Sequence, residues 1–331
     1  MKCALMTLLV VSTSVFAGTI KVGSSPVISS AGIYLAQERN YFKDEGLTVE
    51  LNDFNNSGAQ MTVLLSKGEL DVGAGNLSSG LFNAIAKGQK FKLVADKGHL
   101  ENGKAYIALI VRADHIASGR YKSLSDLKGF KLGLTALDGV SQQIVAERFL
   151  SKAGLKPGDV EFVKLSYAEM NVALKAKNID ATIQLEPYLT KAEVDGIASK
   201  VANATEVHPN QQSAALFYSP NFIKNNPADA KKFMIAYLKG VRDYNKSLTD
   251  SAAKEKVIAD LKKYIKIDDD RVWKNMVPIG LTNDGAVNVA ALMEDVKWYF
   301  TKNYIERLPT QDEIVDMHFA KEASAELDKR K

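Results

Sequence analysis

Short β-type runs alternate with amphipathic helical runs through most of this chain, and that alternation admits few folds other than an α/β fold with largely parallel sheets covered by helices. Ile20 and Val22 open the first strand, which Ser24-Ser25-Pro26 breaks. A helix beginning near Ser29 or Ser30 puts Ala31, Tyr34, Leu35 and Phe42 on one face and stops at Gly46. Leu47, Val49 and Leu51 then alternate with Thr48 and Glu50, the pattern of a strand with one wetter face. The unit repeats as a helix over 58–67, a strand over 70–72, a helix carrying Leu81, Phe82 and Ile85, and apolar strands over 91–95 and 105–111. A second series starts after Arg120, with strands over 130–134, 160–165 and 179–183 and helices over 141–153 and 167–177. Strand 213–218 follows, and beyond Pro220 the pattern is helical. That helical tail is expected on the first series, which otherwise lacks enough helices to cover both sheet faces.

The N-terminus reads Met1-Lys2-Cys3, then an apolar run over 4–16 closing on Val15-Phe16-Ala17. This predicts a secretory signal cleaved after Ala17, which places the mature protein outside the cytoplasm. The run is too short for a membrane anchor, which needs roughly 20 residues. Cys3 is the only cysteine, so its loss leaves a mature chain with no disulfide, thiolate metal site or cysteine nucleophile. The 331 residues suffice for two domains. A composition of 46% hydrophobic and 25% charged residues is that of a globular protein rather than a disordered one. The net charge of +4 is spread along the chain without a basic block, so no nucleic-acid partner is expected.

The four histidines, His99, His115, His208 and His318, show no metal-ligand spacing. There is no P-loop, no G-x-G-x-x-G and no G-x-S-x-G elbow, and Gly73-Ala74-Gly75 lacks the third glycine of a nucleotide turn. Neither metal nor cofactor is expected, and the reading is of a non-enzyme.

Several segments carry a family likeness: Tyr41-Phe42-Lys43-Asp44-Glu45-Gly46-Leu47 after an alanine-bearing helix, Leu64-Leu65-Ser66-Lys67-Gly68-Glu69-Leu70-Asp71-Val72-Gly73, and Leu124-Ser125-Asp126-Leu127-Lys128-Gly129. Asn178-Ile179-Asp180-Ala181 followed by Glu186-Pro187-Tyr188 adds to it. The chain resembles the periplasmic solute-binding proteins of ABC importers, in the branch of sulfonate, taurine, nitrate and thiamine-precursor (SsuA/THI5/NMT1-like) binders. The resemblance implies a type II, two-lobed α/β protein, each lobe a mostly parallel sheet flanked by helices, with the helical C-terminal region on lobe 1. It implies a monomer that closes on a small molecule and delivers it to an ABC permease in the inner membrane. Lobe 1 is expected over 18–112 and 213–331 and lobe 2 over 113–212, with crossings near 112–121 and 201–213. A ligand sensor for a membrane receptor is the alternative. A pyrimidine synthase of the same fold is discounted, because its cysteine-rich metal motif cannot exist in a mature chain without cysteine.

In open α/β sheets ligands bind beyond the carboxyl ends of strands, where loops lead into helix N-termini that favour acceptor-rich groups. Five such loops are readable. Ser24, Ser25 and Pro26 offer hydroxyls and a fixed bend, although Ser29 and Ser30 after them equally suit helix capping. Asn55, Ser57 and Gly58 form either a close-approach loop or a plain turn. Asn76, Ser78 and Ser79 lie at a third junction. Asp138, Gly139 and Ser141 open the second series' first long helix, where Asp138 faces a ligand or caps the helix. Glu186 and Tyr188 flank Pro187, with Tyr188 able to stack on a ligand. Lys97 is a further candidate, and Tyr218 is either a cleft wall or a core residue. No arginine lies in these loops, so an arginine fork for a carboxylate is not supported. An anion would rest on amides, serines and Lys97, whereas an inward Asp138 or Glu186 would call for a donor or a positive charge.

Overall fold

The structure, a computed structural model, describes residues 18–54 and 58–330. The export segment expected over 1–17 lies outside the described residues. Among the described residues ten strands are found in chain order: β1 (Ile20–Ser24), β2 (Val49–Asp53), β3 (Val72–Asn76), β4 (Lys92–His99), β5 (Ile107–Arg112), β6 (Lys131–Leu134), β7 (Glu161–Lys164), β8 (Ala181–Leu185), β9 (Ala198–Asn203) and β10 (Gln212–Tyr218). They build two five-stranded sheets, ordered β2-β1-β3-β10-β4 and β7-β6-β8-β5-β9. In each sheet four strands share one direction, and a single strand, β10 or β5, runs antiparallel to both its neighbours.

The antiparallel strand is the one by which the chain enters each sheet. β4 leaves the first sheet and β10 returns beside it, while β5 enters the second sheet next to β9, which leaves it. The crossings therefore occupy residues 100–106 and 204–211. This corrects the expected lobe boundary: β5 pairs with β8 and β9, so residues 107–112 belong to the second lobe and the first crossing precedes them. β5 is buried along its whole length. An unbroken apolar run shows a buried strand without showing which sheet buries it.

Helices Ala31–Glu38 and Pro227–Ser247 cover one face of the first sheet, with Val22, Val72, Val94, Tyr34 and Tyr237 in the core between. Helices Ser79–Ala86 and Val289–Thr301 cover the other, around Phe82, Leu93, Phe217, Leu292 and Tyr299. The C-terminal helices thus pack on both faces of lobe 1. Helices Ser141–Lys152, Tyr167–Lys175 and Tyr188–Val194 flank the second sheet.

At the crossing of the first two helices the backbones touch, and a Cβ on Gly240 would stand 2.1 Å from the Gly32 carbonyl oxygen. In an open helix, replacing glycine by alanine gains up to about 1 kcal/mol. Here the backbone cannot yield, so overpacking decides the sign. Gly240→Ala is expected to lower stability by about 2 kcal/mol or more, read as a fall in denaturant midpoint at unchanged slope.

Candidate functional site

The carboxyl ends of β1 and β2 in one lobe face the loops after β7 and β8 in the other. Between them lies a cavity of about 390 Å³, lined by Ser25, Pro26 and Val27 from lobe 1 and by Ser166, Tyr167, Ala168, Glu169 and Tyr188 from lobe 2. The Tyr167 and Tyr188 rings stand 6.3 Å apart and within 14° of parallel. Each reaches across the cleft: Tyr188 Oη donates to the Pro26 carbonyl at 3.5 Å, and Asn76 Nδ2 donates to Tyr167 Oη at 2.5 Å. Tyr167 is held by a reciprocal cap, in which Glu169 Oε2 accepts from the Ser166 amide at 2.7 Å and Ser166 Oγ accepts from the Glu169 amide at 3.4 Å. These bonds lower the Glu169 pKa, whereas burial raises that of the Tyr167 hydroxyl.

Beside this cavity, at the end of β2, stands Asp53. Its Oδ1 accepts from Tyr34 Oη at 3.1 Å, and Ser24 Oγ lies 3.0 Å from that hydroxyl and 3.4 Å from the same carboxylate oxygen. Ser24 and Tyr34 are buried and Asp53 is exposed. A larger depression of about 770 Å³, between Arg242, Thr282 and Asp328, shares no residue with the strand-end loops.

The model of the NMT1/THI5-like family matches residues 28–247, two thirds of the chain. The chain belongs to the NMT1/THI5-like family. A putative binding protein of Brucella abortus is 28% identical over 266 residues, covering 77% of this chain and 76% of that protein. A 4-amino-5-hydroxymethyl-2-methylpyrimidine phosphate synthase of Saccharomyces cerevisiae, THI11, is 27% identical over 253 residues, covering 71% and 68%. Among solved structures, the zinc-bound ligand-binding component of an ABC-type import system from Staphylococcus aureus superposes with a TM-score of 0.76 at 18% identity, over 93% of this chain and 99% of that one. The periplasmic nitrate-binding protein NrtA of Synechocystis gives 0.75 at 14% identity, over 94% and 89%. These likenesses establish the two-lobed binding-protein fold.

In this NMT1/THI5-like chain the structure brings only some of the predicted site residues to the cavity. Ser25, Pro26 and Tyr188 line the cavity, and Ser24 and Asn76 bond to groups at its edge. The third and fourth loops instead pair with each other near the crossings: the Ser79 amide donates to the Gly139 carbonyl at 2.7 Å, Ser79 Oγ donates to the Asp138 carbonyl, and the Ser141 amide donates to Leu77 at 3.1 Å. Ser141 Oγ donates to the Ser213 carbonyl at 3.2 Å, the Ser78 hydroxyl is buried without a partner, and the Asp138 side chain is exposed. Tyr218 lies in the core, donating to the Ala230 carbonyl at 2.9 Å among Phe222, Phe233 and Phe319. Because β10 runs antiparallel, its carboxyl end is at the edge of the sheet away from the ligand side, so Tyr218 is no cleft wall. Lys97 is buried and donates to Ser29 Oγ at 2.8 Å, with burial lowering its pKa to about 7 against the opposing pull of Asp96. Gly58 begins helix Gly58–Ser66, and Asn55 and Ser57 lie outside the described residues. The periodicity reading missed Asp53, Ser166, Tyr167 and Glu169. Ser166-Tyr167-Ala168-Glu169 carried a usable signal, a capping box directly after a strand.

Glu186 is fully buried at the seam between the lobes. Its Oε1 accepts from Thr190 Oγ1 at 2.7 Å and from the Val277 amide at 3.1 Å, and its Oε2 accepts from the Thr190 amide at 3.1 Å. Burial outweighs these bonds and pushes its pKa up to about 7. Burial would lower the pKa of His99, but its hydrogen bond to Asp96 at 2.9 Å and the charges of Asp96 and Glu101 leave it raised. Both groups hold a proton more tightly folded than unfolded, so the stability they confer is present at low pH and lost as pH rises, for Glu186 between 4.5 and about 7. Depressed carboxylates such as Asp269 and Glu313, at about 2, lose their contribution only in more acidic solution. Melting temperature is therefore expected to fall as pH is raised from about 5 to about 7.5, and Glu186→Gln is expected to flatten that slope.

Proposed function

We propose that this NMT1/THI5-like protein is the substrate-binding component of an ABC importer, which captures a small planar organic molecule between its lobes outside the cytoplasm and presents the closed form to a membrane permease. The observation that carries this reading is the tyrosine wall. Tyr167 and Tyr188 of one lobe face Ser25-Pro26-Val27 of the other around a cavity of about 390 Å³. That volume is within the range of small-molecule sites, about 300–1,000 Å³, and far exceeds what nitrate fills. A ligand touching both lobes gains its full contact energy only when they close, and this differential affinity is what shifts the population toward the closed form. Ring stacking on a tyrosine adds about 0.5–1.5 kcal/mol beyond the area it buries.

The import-system neighbour and the Brucella binding protein support transport. The yeast synthases of this family are named for a pyrimidine phosphate, which puts pyrimidines first among the planar candidates. Binding rather than catalysis is supported by Glu169, whose carboxylate on the lining is committed to a helix cap. No helix among the described residues is long and apolar enough to cross a membrane.

Residues 18–331 are to be screened by thermal shift against 4-amino-5-hydroxymethyl-2-methylpyrimidine, other pyrimidines, aromatic acids, riboflavin, taurine, alkanesulfonates and nitrate. A planar compound is expected to raise the melting temperature, by the equivalent of about 2.7 kcal/mol at 100 times its Kd. Tyr188→Ala is expected to weaken that compound at least about tenfold, roughly 1.4 kcal/mol, and X-ray scattering is expected to show compaction on binding. Stabilisation by nitrate or taurine alone would sink the planar-ligand reading.

A further inference from the structure

The planar-ligand reading leaves one charged group at the cleft unused. Asp53 stands at the carboxyl end of β2, the edge of the sheet where α/β proteins bind ligands. Its Oδ1 is oriented by Tyr34 and Ser24, two groups with no exposed surface. Among the described residues no lysine, arginine or histidine pairs with it, and its Oδ2 carries no hydrogen bond. A surface aspartate commonly swings freely in water, so a carboxylate aimed by two buried hydroxyls and left without a cation is poised for a partner from outside the chain.

Its surroundings are aromatic. Tyr34 stacks on Tyr264 at 4.6 Å and 9°, and the Tyr188 hydroxyl is raised by burial and then by the charge of Asp53. Among the described residues the one charge on the cavity lining is Glu169, which is negative, and Asp53 stands beside that lining. Lys97, the cation buried under the same loop, is turned onto Ser29 and does not line the cavity. A carboxylate among tyrosine rings, with no basic side chain on the lining, suits a cationic nitrogen. Such a nitrogen gains a charge-assisted hydrogen bond and the attraction of the ring faces, whereas a sulfonate or nitrate meets two like charges.

We infer that Asp53 is the charge-selecting residue of this site and that the ligand is a planar molecule bearing a protonated or hydrogen-donating nitrogen, which sits on Asp53 while the ring lies against Tyr188. The inference rests on the ring-binding reading of the cleft.

Matched probes separate the two. Calorimetric titration of residues 18–331 with benzylamine, benzyl alcohol and phenylmethanesulfonate at neutral pH compares a cation, a neutral donor and an anion on one ring. The amine is expected to bind at least about tenfold tighter than the alcohol, and the sulfonate weakest. Asp53→Asn keeps an oxygen for Tyr34 and Ser24, and is expected to abolish the amine's advantage while leaving the alcohol unchanged. Equal affinity for amine and alcohol, tightest binding of the sulfonate, or an advantage that survives in Asp53→Asn overturns the inference while the ring-binding reading stands. Failure of all three probes to bind overturns the ring-binding reading and the inference with it. The order of the three probes on the unaltered protein needs no variant to fold, so it decides independently.

Discussion

Both lobes depend on a buried carboxylate at the point where the chain leaves the first sheet. Asp96 accepts from the Gly98 amide at 2.8 Å, Gln212 Nε2 at 2.7 Å and the Thr282 amide at 2.9 Å, with His99 Nδ1 also at 2.9 Å. It thereby binds the outgoing strand, the returning strand and the C-terminal region into one joint. Asp295 does the same for the return crossing, taking His208 Nε2 at 2.6 Å and Gln211 Nε2 at 3.0 Å, and the Leu100 amide joins the two crossings through the Gln211 carbonyl. A buried charge left unpaired costs several kcal/mol. Both oxygens of each of these two carboxylates have a hydrogen-bond partner, so the joint is polar, buried and specific in register, which an apolar contact at the same place would not be.

That joint determines what the loops can do. Leu77 and Ser79 lie one strand away from Ser213, and their pairing with Gly139 and Ser141 continues the joint by backbone hydrogen bonds. The loops farther from it, Ser25-Pro26-Val27 and Ser166 to Tyr188, meet mainly through side chains: Tyr188 on Pro26 and Asn76 on Tyr167. The lobes are thus joined by main-chain hydrogen bonds near the crossings and mainly by side-chain contacts at the cavity. Glu186 sits between the two, tied to its own helix through Thr190 and to the C-terminal region through the Val277 amide.

Most of the elements were legible because their periods are clean. The alternation of Leu47 to Leu51 became β2, and the helix expected from Ser141 begins there. What could not be read was pairing. β5 is apolar up to Arg112, so nothing local distinguishes the last strand of one lobe from the first strand of the next. β9, Ala-Ser-Lys-Val-Ala-Asn, has no apolar period at all and lay partly in the expected return crossing; it is a strand because β5 pairs with it. The same limit applies to the site. Strand-end loops were recognised as a class, but which loops face a ligand and which face each other is a property of lobe apposition. Tyr218 reads equally as cleft wall or core because the direction of β10, which reverses the usual end of the strand, is invisible in its residues.

The same topology leaves the chemistry of the cleft to a few strand-end side chains. A nitrate-binding protein shares the architecture at 14% identity, which leaves almost every side chain free to differ while the strand ends stay where they are. In this chain two of the helix N-termini beside the cavity receive a carboxyl group of the chain itself. Glu169 caps the helix at Tyr167, and Glu186 accepts the Thr190 amide one turn into the helix at Tyr188. A helix end that has already received a carboxylate from its own chain has little positive potential left for a ligand. At these two ends the positive face is thereby reduced, whereas the helix Ala31–Glu38, after the Ser25-Pro26-Val27 loop, has no side-chain cap. Which strand-end carboxylates are spent on capping and which are left open is thus decided by a few side chains, independently of the sheets that hold them.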